Sequence, residues 1–415
     1  MAACSHRSCS SNLGDTDGQP AHALTDTTCC ADSAWHAQNM GYDRDDGFMS
    51  EILTLPGPMG FVASEQSLCS ELDVAADHCA AEGLALAVSS AEAVRECARL
   101  RAVHRNLRMI ADTFHWSTHV ATANEPTAVS GQLLDLDMWA EVTLSASGAR
   151  SALAPSSFIR LGDTAALNAV LAELSQAAHP GLVPFLATDA ETLNPRYLPE
   201  FIQAVEQVPL ARLAFLFAGK PKTMANYARL KGLRDLLRHF PGSQVHGLDV
   251  LAGTDAVAHG AGWVGIGASS GRRWPRRPGD PGGGPLAAGY LPGTFVRELL
   301  EMRSPVVYTD WYANSPSPSC ATCVRPLDSY RPTPADKALI IRHNVHGVDD
   351  FTRELTAQPA HSQAAWLNEA RIEAFTRHSQ LTSTAGTVNA DLALRKLCEL
   401  DDPQMRETTP AGSWV

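Results

Sequence analysis

The sequence predicts an α/β protein: a (β/α)8 TIM barrel followed by a C-terminal helical appendage with a Cys/His zinc site. Eight short apolar runs alternate with helix-like stretches over residues 60–266. This alternation requires parallel strands joined by crossovers, and eight such units suggest a closed barrel. No Gly-x-Gly-x-x-Gly motif follows an early run, which disfavours an open doubly wound sheet.

The predicted elements follow from apolar runs and from apolar residues at three- and four-residue spacing. We expect strands at 60–63, 84–89, 107–111, 158–161, 182–186, 213–217, 245–248 and 263–266, and helices within 64–83, 90–106 and 164–181. Residues 117–150 interrupt the alternation and could form a hairpin, and the Pro/Gly-rich residues 269–286 predict a loop. Beyond Pro292 we expect helices at 295–302, 335–355, 363–378 and 388–400.

Four segments are expected along the chain. Residues 1–48 are rich in Ser, Asp, Thr, Gly and Cys without periodicity, which predicts a disordered tail. Residues 49–290 form the predicted barrel, residues 291–403 the zinc-site and helical region, and residues 404–415 a second tail.

Composition limits the partners of the protein. The chain has 415 residues and a net charge of −12, so nucleic acid is repelled by most of its surface. A contact with tRNA or DNA needs a local basic patch, and the candidate loop holds four arginines: Arg272, Arg273, Arg276 and Arg277. No apolar run of about eighteen residues and no signal-like N-terminus is present, so we expect a cytoplasmic protein without a membrane span. The ten cysteines are then thiols or metal ligands.

Polar residues follow most of the predicted strands, at the end of a barrel where active sites lie. Asp112 follows the third strand and precedes Phe114 and Trp116, aromatic rings that can sandwich a planar ligand such as a nucleobase. Asp249 follows the seventh strand. We predict Asp112 and Asp249 as catalytic, with a substrate-binding set of Asp163, His246, Phe114, Trp116, Arg272 and Arg273.

Two members of this set also have a structural interpretation, which for Asp163 is the favoured one. Asp163, like Asp189 after the fifth strand, is suited to capping a helix N-terminus. His246 lies within an apolar strand and is as readily a core histidine as a site residue.

The second chemical signal lies near the C-terminus. Cys320 and Cys323 form a Cys-x-x-Cys pair that can chelate a metal through two thiolates. His343 and His346 follow on a predicted helix, one turn apart on one face. Two thiolates with one or two imidazoles suit tetrahedral zinc, and the alternative is a pair of free thiols near two surface histidines.

The order of these motifs resembles the tRNA-guanine transglycosylase superfamily, especially its divergent actinobacterial paralogues, over roughly residues 60–380. In that family a Cys-x-Cys-x-x-Cys cluster and a downstream His bind structural zinc. Cys320, Cys323 and His343 match the last two Cys and the His, and Pro318 stands in place of the first Cys. The resemblance therefore implies zinc, with the missing ligand supplied by His346, Asp328 or Cys398.

The resemblance also assigns roles at the barrel. The family's base-recognising Asp matches Asp112, although the Gly-Gly and Gln that follow it in the family are absent here. The family nucleophile is an Asp at the end of the eighth strand, and its position is occupied by Gly267. Arg272 and Arg273 match a basic turn and could bind phosphate.

Two hypotheses follow. The first is an enzyme acting at a glycosidic bond of a nucleotide or nucleic acid, related to guanine or 7-deazaguanine exchange, with Asp249 as replacement nucleophile or base. The second is a non-catalytic barrel, a binding module or subunit of a homo- or hetero-oligomeric complex that modifies nucleic acid. A metal-dependent hydrolase ranks last, because it needs a His-x-His pair at an early strand end and the sequence has none there.

Overall fold

A computed structural model describes residues 55, 57–65, 70–210, 212–281, 289–320, 322–384, 386–402 and 404–407. The predicted tail of residues 1–48 lies outside these ranges, and so do residues 408–415 of the second predicted tail.

The described residues contain a sheet of nine parallel strands, in the order β5-β4-β3-β2-β1-β9-β8-β7-β6. Their bounds are β1 Met59–Ala63, β2 Ala85–Ser89, β3 Arg108–Asp112, β4 Ser151–Leu153, β5 Leu182–Val183, β6 Phe185–Asp189, β7 Ala214–Ala218, β8 Gln244–Leu248 and β9 Trp263–Gly267.

The sheet is nearly closed into a barrel. Its two terminal strands, β5 and β6, are separated only by Pro184, so they are one stretch of chain. Proline has no backbone N–H to donate to the ladder, which explains the break. A parallel bridge between Ile159 and Thr188 also ties the chain after β4 to β6. The nine strands therefore occupy eight positions around the barrel, as the alternating pattern predicts.

Helices alternate with these strands and cover the outside of the sheet. They are α1 Glu71–Glu82, α2 Ala93–Val103, α3 Leu136–Ser147, α4 Thr164–Leu174, α5 Leu198–Glu206, α6 Tyr227–His239, α7 Val250–Ala258 and the short α8 Ser270–Arg273. Because all strands are parallel, the loops that follow their C-terminal ends meet at one end of the barrel. We call this end the mouth.

Two predictions in the third and fourth units are wrong. The hairpin expected within residues 117–150 is instead the helix α3, which Asp135 caps by accepting a hydrogen bond from the Met138 amide. Gly148 ends α3 with a φ of 64°. The fourth strand is β4, not residues 158–161. Phe158 and Ile159 form only isolated bridges, because the short Ser-Ala-Leu segment of β4 pairs with β3 and β5.

The C-terminal region contains two hairpins and five helices within the described residues. The hairpins are β10 Thr294–Val296 with β11 Glu301–Arg303 and β12 Thr382–Ser383 with β13 Gly386–Thr387. The helices are α9 Pro305–Trp311, α10 Pro334–Thr356, α11 Gln363–Ser379, α12 Leu392–Asp401 and α13 Gln404–Glu407. α10 and α11 match predicted helices, and α12 begins later than predicted, where Asp391 caps it.

The helix predicted at 295–302 is wrong, since this segment forms the hairpin of β10 and β11. The side chain of Asn344 on α10 hydrogen-bonds to the backbone of this segment. The Phe295 amide donates to Asn344 Oδ1 at 2.7 Å, and Asn344 Nδ2 donates to the Gly293 carbonyl at 2.7 Å. Tertiary hydrogen bonds therefore override the local preference of the Leu/Glu-rich sequence.

The C-terminal helices share the core of the barrel. Ile341, Val345, Val348 and Phe351 on α10 belong to the same buried cluster as the barrel strands. None of the helices in the described ranges is both long and apolar enough to cross a membrane.

Candidate metal centre and barrel mouth

Four side chains converge next to α10 in a Cys2His2 cluster. His343 and His346 lie one turn apart on that helix, and Cys320 and Cys323 lie on the preceding loop. One ligand atom from each lies within 4.8 Å of all the others. Of the three residues considered for the missing ligand, the cluster includes His346 and neither Asp328 nor Cys398.

Two of the three distances within the cluster match those of a tetrahedral metal site, and the third is shorter. Cys320 Sγ lies 2.9 Å and Cys323 Sγ 3.3 Å from His346 Nε2, and Cys323 Sγ lies 3.8 Å from His343 Nδ1. Ligand bonds of about 2.0–2.3 Å to tetrahedral zinc place ligand atoms roughly 3.3–3.8 Å apart. Two sulfur and two nitrogen donors at this spacing could hold a metal ion.

A hydrogen bond outside the cluster orients one of its ligands. His343 Nε2 lies 2.7 Å from the Phe295 carbonyl oxygen, which can only accept, so the proton of this imidazole is on Nε2. Nδ1 then presents a lone pair to the cluster. This arrangement, in which the outer ring nitrogen donates to a carbonyl, is typical of metal-binding histidines.

The loop that carries the two cysteines turns back on itself at the cluster. The Cys323 amide donates to Cys320 Sγ at 3.5 Å, and the Val324 amide donates to the Cys320 carbonyl at 2.8 Å. Val324 has a φ of 52°, which is strained for a β-branched residue. Arg325 anchors the loop to α10 through two hydrogen bonds to Asp336.

At the barrel mouth, Asp112 is 5% exposed and its carboxylate accepts three hydrogen bonds. The donors are the Ser89 hydroxyl at 2.5 Å, the Phe114 amide at 2.9 Å and the Trp116 indole at 3.4 Å. Burial nevertheless raises the pKa of Asp112, while these donors and the charge of Arg272 oppose the rise.

Glu71, at the start of α1, is a second buried acid at the mouth. It is fully buried, and burial raises its pKa to about 7, with Ser269 and Arg272 acting in the opposite direction. Ser269 and the Ser64 amide are near enough to lower its pKa, but neither carboxylate oxygen has a well-aligned hydrogen-bond partner. Glu71 is absent from the predicted site residues because it follows the first strand, whereas the predicted polar residues follow the third and later strands.

The charge of Arg272 interacts with both of these acids. Its guanidinium carbon lies 4.4 Å from the centre of the Phe114 ring, and its Nε donates to Ser64 Oγ at 3.0 Å. The charges of Glu71 and Asp112 both stabilise its charged form against burial. Arg272 therefore covers one face of the aromatic ring that was predicted to hold a planar ligand.

The backbone of α8 packs directly on Gly267 at the end of β9. A Cβ atom at this position would lie 2.2 Å from the Arg272 carbonyl carbon and 2.2 Å from the Arg273 nitrogen. Arg273 is buried and donates from Nη1 to the carbonyls of Gly267 and Ala268, at 3.3 and 3.1 Å. Residue 267 therefore has no room for a side chain.

Asp249 lies at the same end of the barrel as Asp112, because both follow the C-terminal ends of parallel strands. It caps α7 by accepting a hydrogen bond from the Ala252 amide at 2.9 Å. Burial raises the pKa of Asp249, and the charge of Arg273 opposes this rise. The adjacent residues Arg272 and Arg273 thus each act on a different predicted catalytic acid.

Two predicted site residues have structural roles. Asp163 caps α4 by accepting from the Ala166 amide at 3.0 Å. His246 is buried inside the barrel beside Trp263, Phe185 and Gln244, and burial lowers its pKa to about 3. The structure places His246 within the core of the barrel.

All four arginines of the predicted basic loop have hydrogen-bond or ion-pair partners within the protein. Arg276 donates to the Pro281 carbonyl, and Arg277 forms an ion pair with Asp189 at 2.6 Å. With the contacts of Arg272 and Arg273 described above, each guanidinium group of this loop has a partner within the chain.

No protein-family model matches this chain, and a comparison with curated proteins gives no match. The resemblance to tRNA-guanine transglycosylases, drawn from the order of motifs, therefore stays a prediction.

Proposed function

We propose that the protein is a non-catalytic relative of tRNA-guanine transglycosylases, a barrel that serves as a binding subunit of a nucleic-acid-modifying complex. Gly267 carries this proposal. It stands where the resemblance expects the covalent nucleophile, and the backbone of Arg272 and Arg273 lies 2.2 Å from where a Cβ would be. A covalent sugar intermediate needs a nucleophilic side chain at that position, and none can be accommodated.

The other groups at the mouth support the same proposal. The Asp112 carboxylate is held by three donors from its own chain, and Asp249 caps a helix. Arg272 stacks on Phe114 where a nucleobase would stack. The mouth is therefore stabilised by contacts among its own residues.

The test is incorporation of labelled guanine into tRNA or DNA by the purified protein. We expect no incorporation above that of an Asp112→Ala variant. Incorporation by the wild-type protein that is lost in Asp112→Ala would overturn the proposal.

One observation favours the second candidate, an enzyme acting at a glycosidic bond. Glu71 is a buried carboxyl group with a pKa of about 7, which suits a general acid or base at neutral pH. In this case Asp112 would hold the edge of the base, Asp249 would be the nucleophile or base, and Arg272 with Arg273 would bind phosphate. This candidate predicts that Glu71→Gln abolishes incorporation, whereas the non-catalytic barrel has no incorporation to lose.

We further propose that the Cys2His2 cluster holds a structural zinc ion. Cys320 and Cys323 would bind through sulfur, His343 through Nδ1 and His346 through Nε2, leaving no open position for catalysis. Zinc would fix the cysteine loop to α10 and so stabilise the C-terminal region. Metal analysis of the purified protein should give one zinc per chain, and Cys320→Ser should lose it. Full zinc content in Cys320→Ser would contradict this assignment.

A further inference from the structure

A cavity of about 530 Å³ borders the Cys2His2 cluster. Its walls come from the β10–β11 hairpin, the loop that leads to Cys320, α10 and α11. Two of the four cluster residues, Cys320 and His343, belong to its lining, whereas Cys323 and His346 do not. Of the two cluster thiols, Cys320 is therefore the one that a small molecule in the cavity meets first.

Acids outnumber bases in the lining of this cavity, which we call the acidic cavity. Among the described residues it holds Glu298, Asp350, Glu354 and Glu373 against one arginine, Arg297. Arg297 forms an ion pair with Glu354 at 2.5 Å, so the surplus negative charge comes from the other three acids. A concave surface with a surplus of one sign repels small ions of the same sign. The cavity therefore admits neutral molecules to Cys320 more readily than anions.

The two cluster cysteines are more exposed than the other cysteines in the described ranges. Cys320 and Cys323 are half-buried, whereas Cys79, Cys97 and Cys398 are fully buried. Burial also raises the pKa of the Cys97 thiol to about 12 and that of the Cys398 thiol to about 11, which keeps both thiols protonated and unreactive. A reagent from solution can therefore reach the cluster pair while the core thiols stay protected.

The turn that carries the cluster cysteines allows their sulfur atoms to join. The Val324 amide donates to the Cys320 carbonyl at 2.8 Å, which closes one helical turn of backbone around the pair. Cα atoms three residues apart in such a turn are separated by about 5 Å, within the range of about 4.4–6.8 Å that a disulfide spans. Both Sγ atoms also lie near one atom, His346 Nε2, at 2.9 and 3.3 Å. A disulfide between Cys320 and Cys323 therefore needs little movement of the backbone.

We propose that Cys320 and Cys323 form an oxidation-sensitive pair, which hydrogen peroxide converts to a disulfide with release of the zinc ion proposed above. The Cys320 thiolate attacks one peroxide oxygen, the O–O bond breaks, and Cys320 becomes a sulfenic acid as hydroxide leaves. The Cys323 thiolate then attacks the Cys320 sulfur, the S–O bond breaks, the S–S bond forms, and a second hydroxide leaves. The two thiolates lose two electrons, peroxide gains them, and solvent protons convert both hydroxides to water.

The disulfide removes both sulfur donors from the cluster. Two imidazoles, those of His343 and His346, hold zinc far more weakly than the full set of four ligands, so the ion leaves. The cysteine loop then keeps its hydrogen bonds from Arg325 to Asp336 but loses its tie through the metal. Oxidation therefore loosens the loop from α10, and a thiol reductant with zinc restores it.

The first experiment treats the full-length wild-type protein with hydrogen peroxide. Zinc release is followed with a chromogenic chelator, and peptide mass mapping locates any disulfide. We expect about one zinc per chain to be released together with a Cys320–Cys323 disulfide, and dithiothreitol with added zinc to reverse both changes. Cys79, Cys97 and Cys398 are the controls within the chain and should stay reduced, because they are buried.

This inference rests on the proposed zinc site, so the untreated protein is analysed for zinc first. Absence of zinc there would overturn the zinc assignment and this inference together. Zinc that is present but stays bound under peroxide would overturn this inference alone. Oxidation of the core cysteines as fast as the cluster pair would do the same, since zinc loss would then follow from unfolding.

The second experiment tests access through the acidic cavity by alkylation of Cys320 with neutral iodoacetamide and anionic iodoacetate. The ratio of the two rates should exceed the ratio for a small uncharged thiol, and it should fall at about 1 M salt, where screening shortens the reach of charge to about 3 Å. Glu373→Gln, which removes a lining charge, should lower the ratio. Glu369→Gln, on the same helix outside the lining, is the matched control and should leave it unchanged.

Alkylation of Cys323 ahead of Cys320, or a rate ratio equal to that of the small thiol, would show that reagents do not arrive through the acidic cavity. Equal effects of Glu373→Gln and Glu369→Gln would lead to the same conclusion. Either result would overturn the assignment of Cys320 as the thiol that peroxide attacks first.

Discussion

A buried ion-pair network joins the barrel to the C-terminal helices, and Asp255→Asn should disrupt it. Asp255 on α7 is fully buried and accepts hydrogen bonds from Arg234 of α6 at 2.7 and 2.9 Å and from Arg371 of α11 at 2.8 Å. Arg371 is also fully buried and donates to Asp401 of α12 at 2.9 Å. Burial alone would raise the pKa of Asp255, but Arg371 and Arg234 outweigh it and hold that pKa well below its usual range.

The size of the effect follows from the burial of the arginines. Asp255→Asn leaves the charges of Arg234 and Arg371 buried with Asp401 as their remaining acid, and removing one partner of a buried ion pair costs about 3–5 kcal/mol. The control is Lys231→Gln on α6, which removes an exposed pair with Asp235 and should cost less than about 1 kcal/mol.

The assay is the free energy of unfolding from urea denaturation, measured for both variants at neutral pH. Because the folded pKa of Asp255 is depressed, its contribution is complete above its unfolded pKa and is lost as the pH falls through the folded value. The difference between wild type and Asp255→Asn should therefore shrink in acid. A cost below about 1 kcal/mol at neutral pH would refute the reasoning about uncompensated buried charge.

Three further predictions concern the mouth and the loop that carries Cys320 and Cys323. A rise in the pKa of Glu71 from 4.5 to about 7 destabilises the fold by roughly 3 kcal/mol once the pH exceeds 7, because the unfolded state loses this proton earlier. The free energy of unfolding of Glu71→Gln, measured in urea, should therefore rise by that amount relative to the wild type as the pH goes from 4 to 8. A difference between the two proteins that does not change with pH would contradict the raised pKa. Gly267→Ala should lower the free energy of unfolding by about 1–3 kcal/mol or more, because the added methyl group overpacks the end of the barrel. The control is Gly271→Ala, whose added Cβ meets nothing within 4 Å and which should be tolerated. Equal unfolding midpoints for the two variants would count against a filled mouth. Val324→Gly should relieve about 1–2 kcal/mol of strain at a φ of 52° and slow the release of the proposed zinc ion to a chelator. Faster release would show that the turn is not strained.

The sequence predicted the barrel because strand–helix alternation is a local pattern repeated along the chain. Seven of the eight predicted strand positions overlap strands of the sheet. The fourth prediction failed because Phe158 and Ile159 are apolar and buried but form only isolated bridges, whereas the less apolar β4 pairs with β3 and β5. An apolar run indicates that a segment is buried, but burial alone does not show which buried segment pairs with neighbouring strands.

The candidate sites were predictable where chemistry depends on spacing within one element. The Cys-x-x-Cys pair and the two histidines on α10 are such cases, and they do converge. Contacts between distant elements were not predictable: nothing in the sequence shows that Asn344 and His343 hold the β10–β11 hairpin, or that α8 covers Gly267.

Direct titration of guanine into the wild-type protein, followed by calorimetry, tests the central claim that the barrel mouth is filled by its own residues. Because Arg272 already stacks on Phe114 and the Asp112 carboxylate is held by three donors, we predict no saturable binding of guanine. Saturable binding that disappears in Phe114→Ala would contradict the account, since it would place a ligand on the ring that Arg272 is claimed to cover.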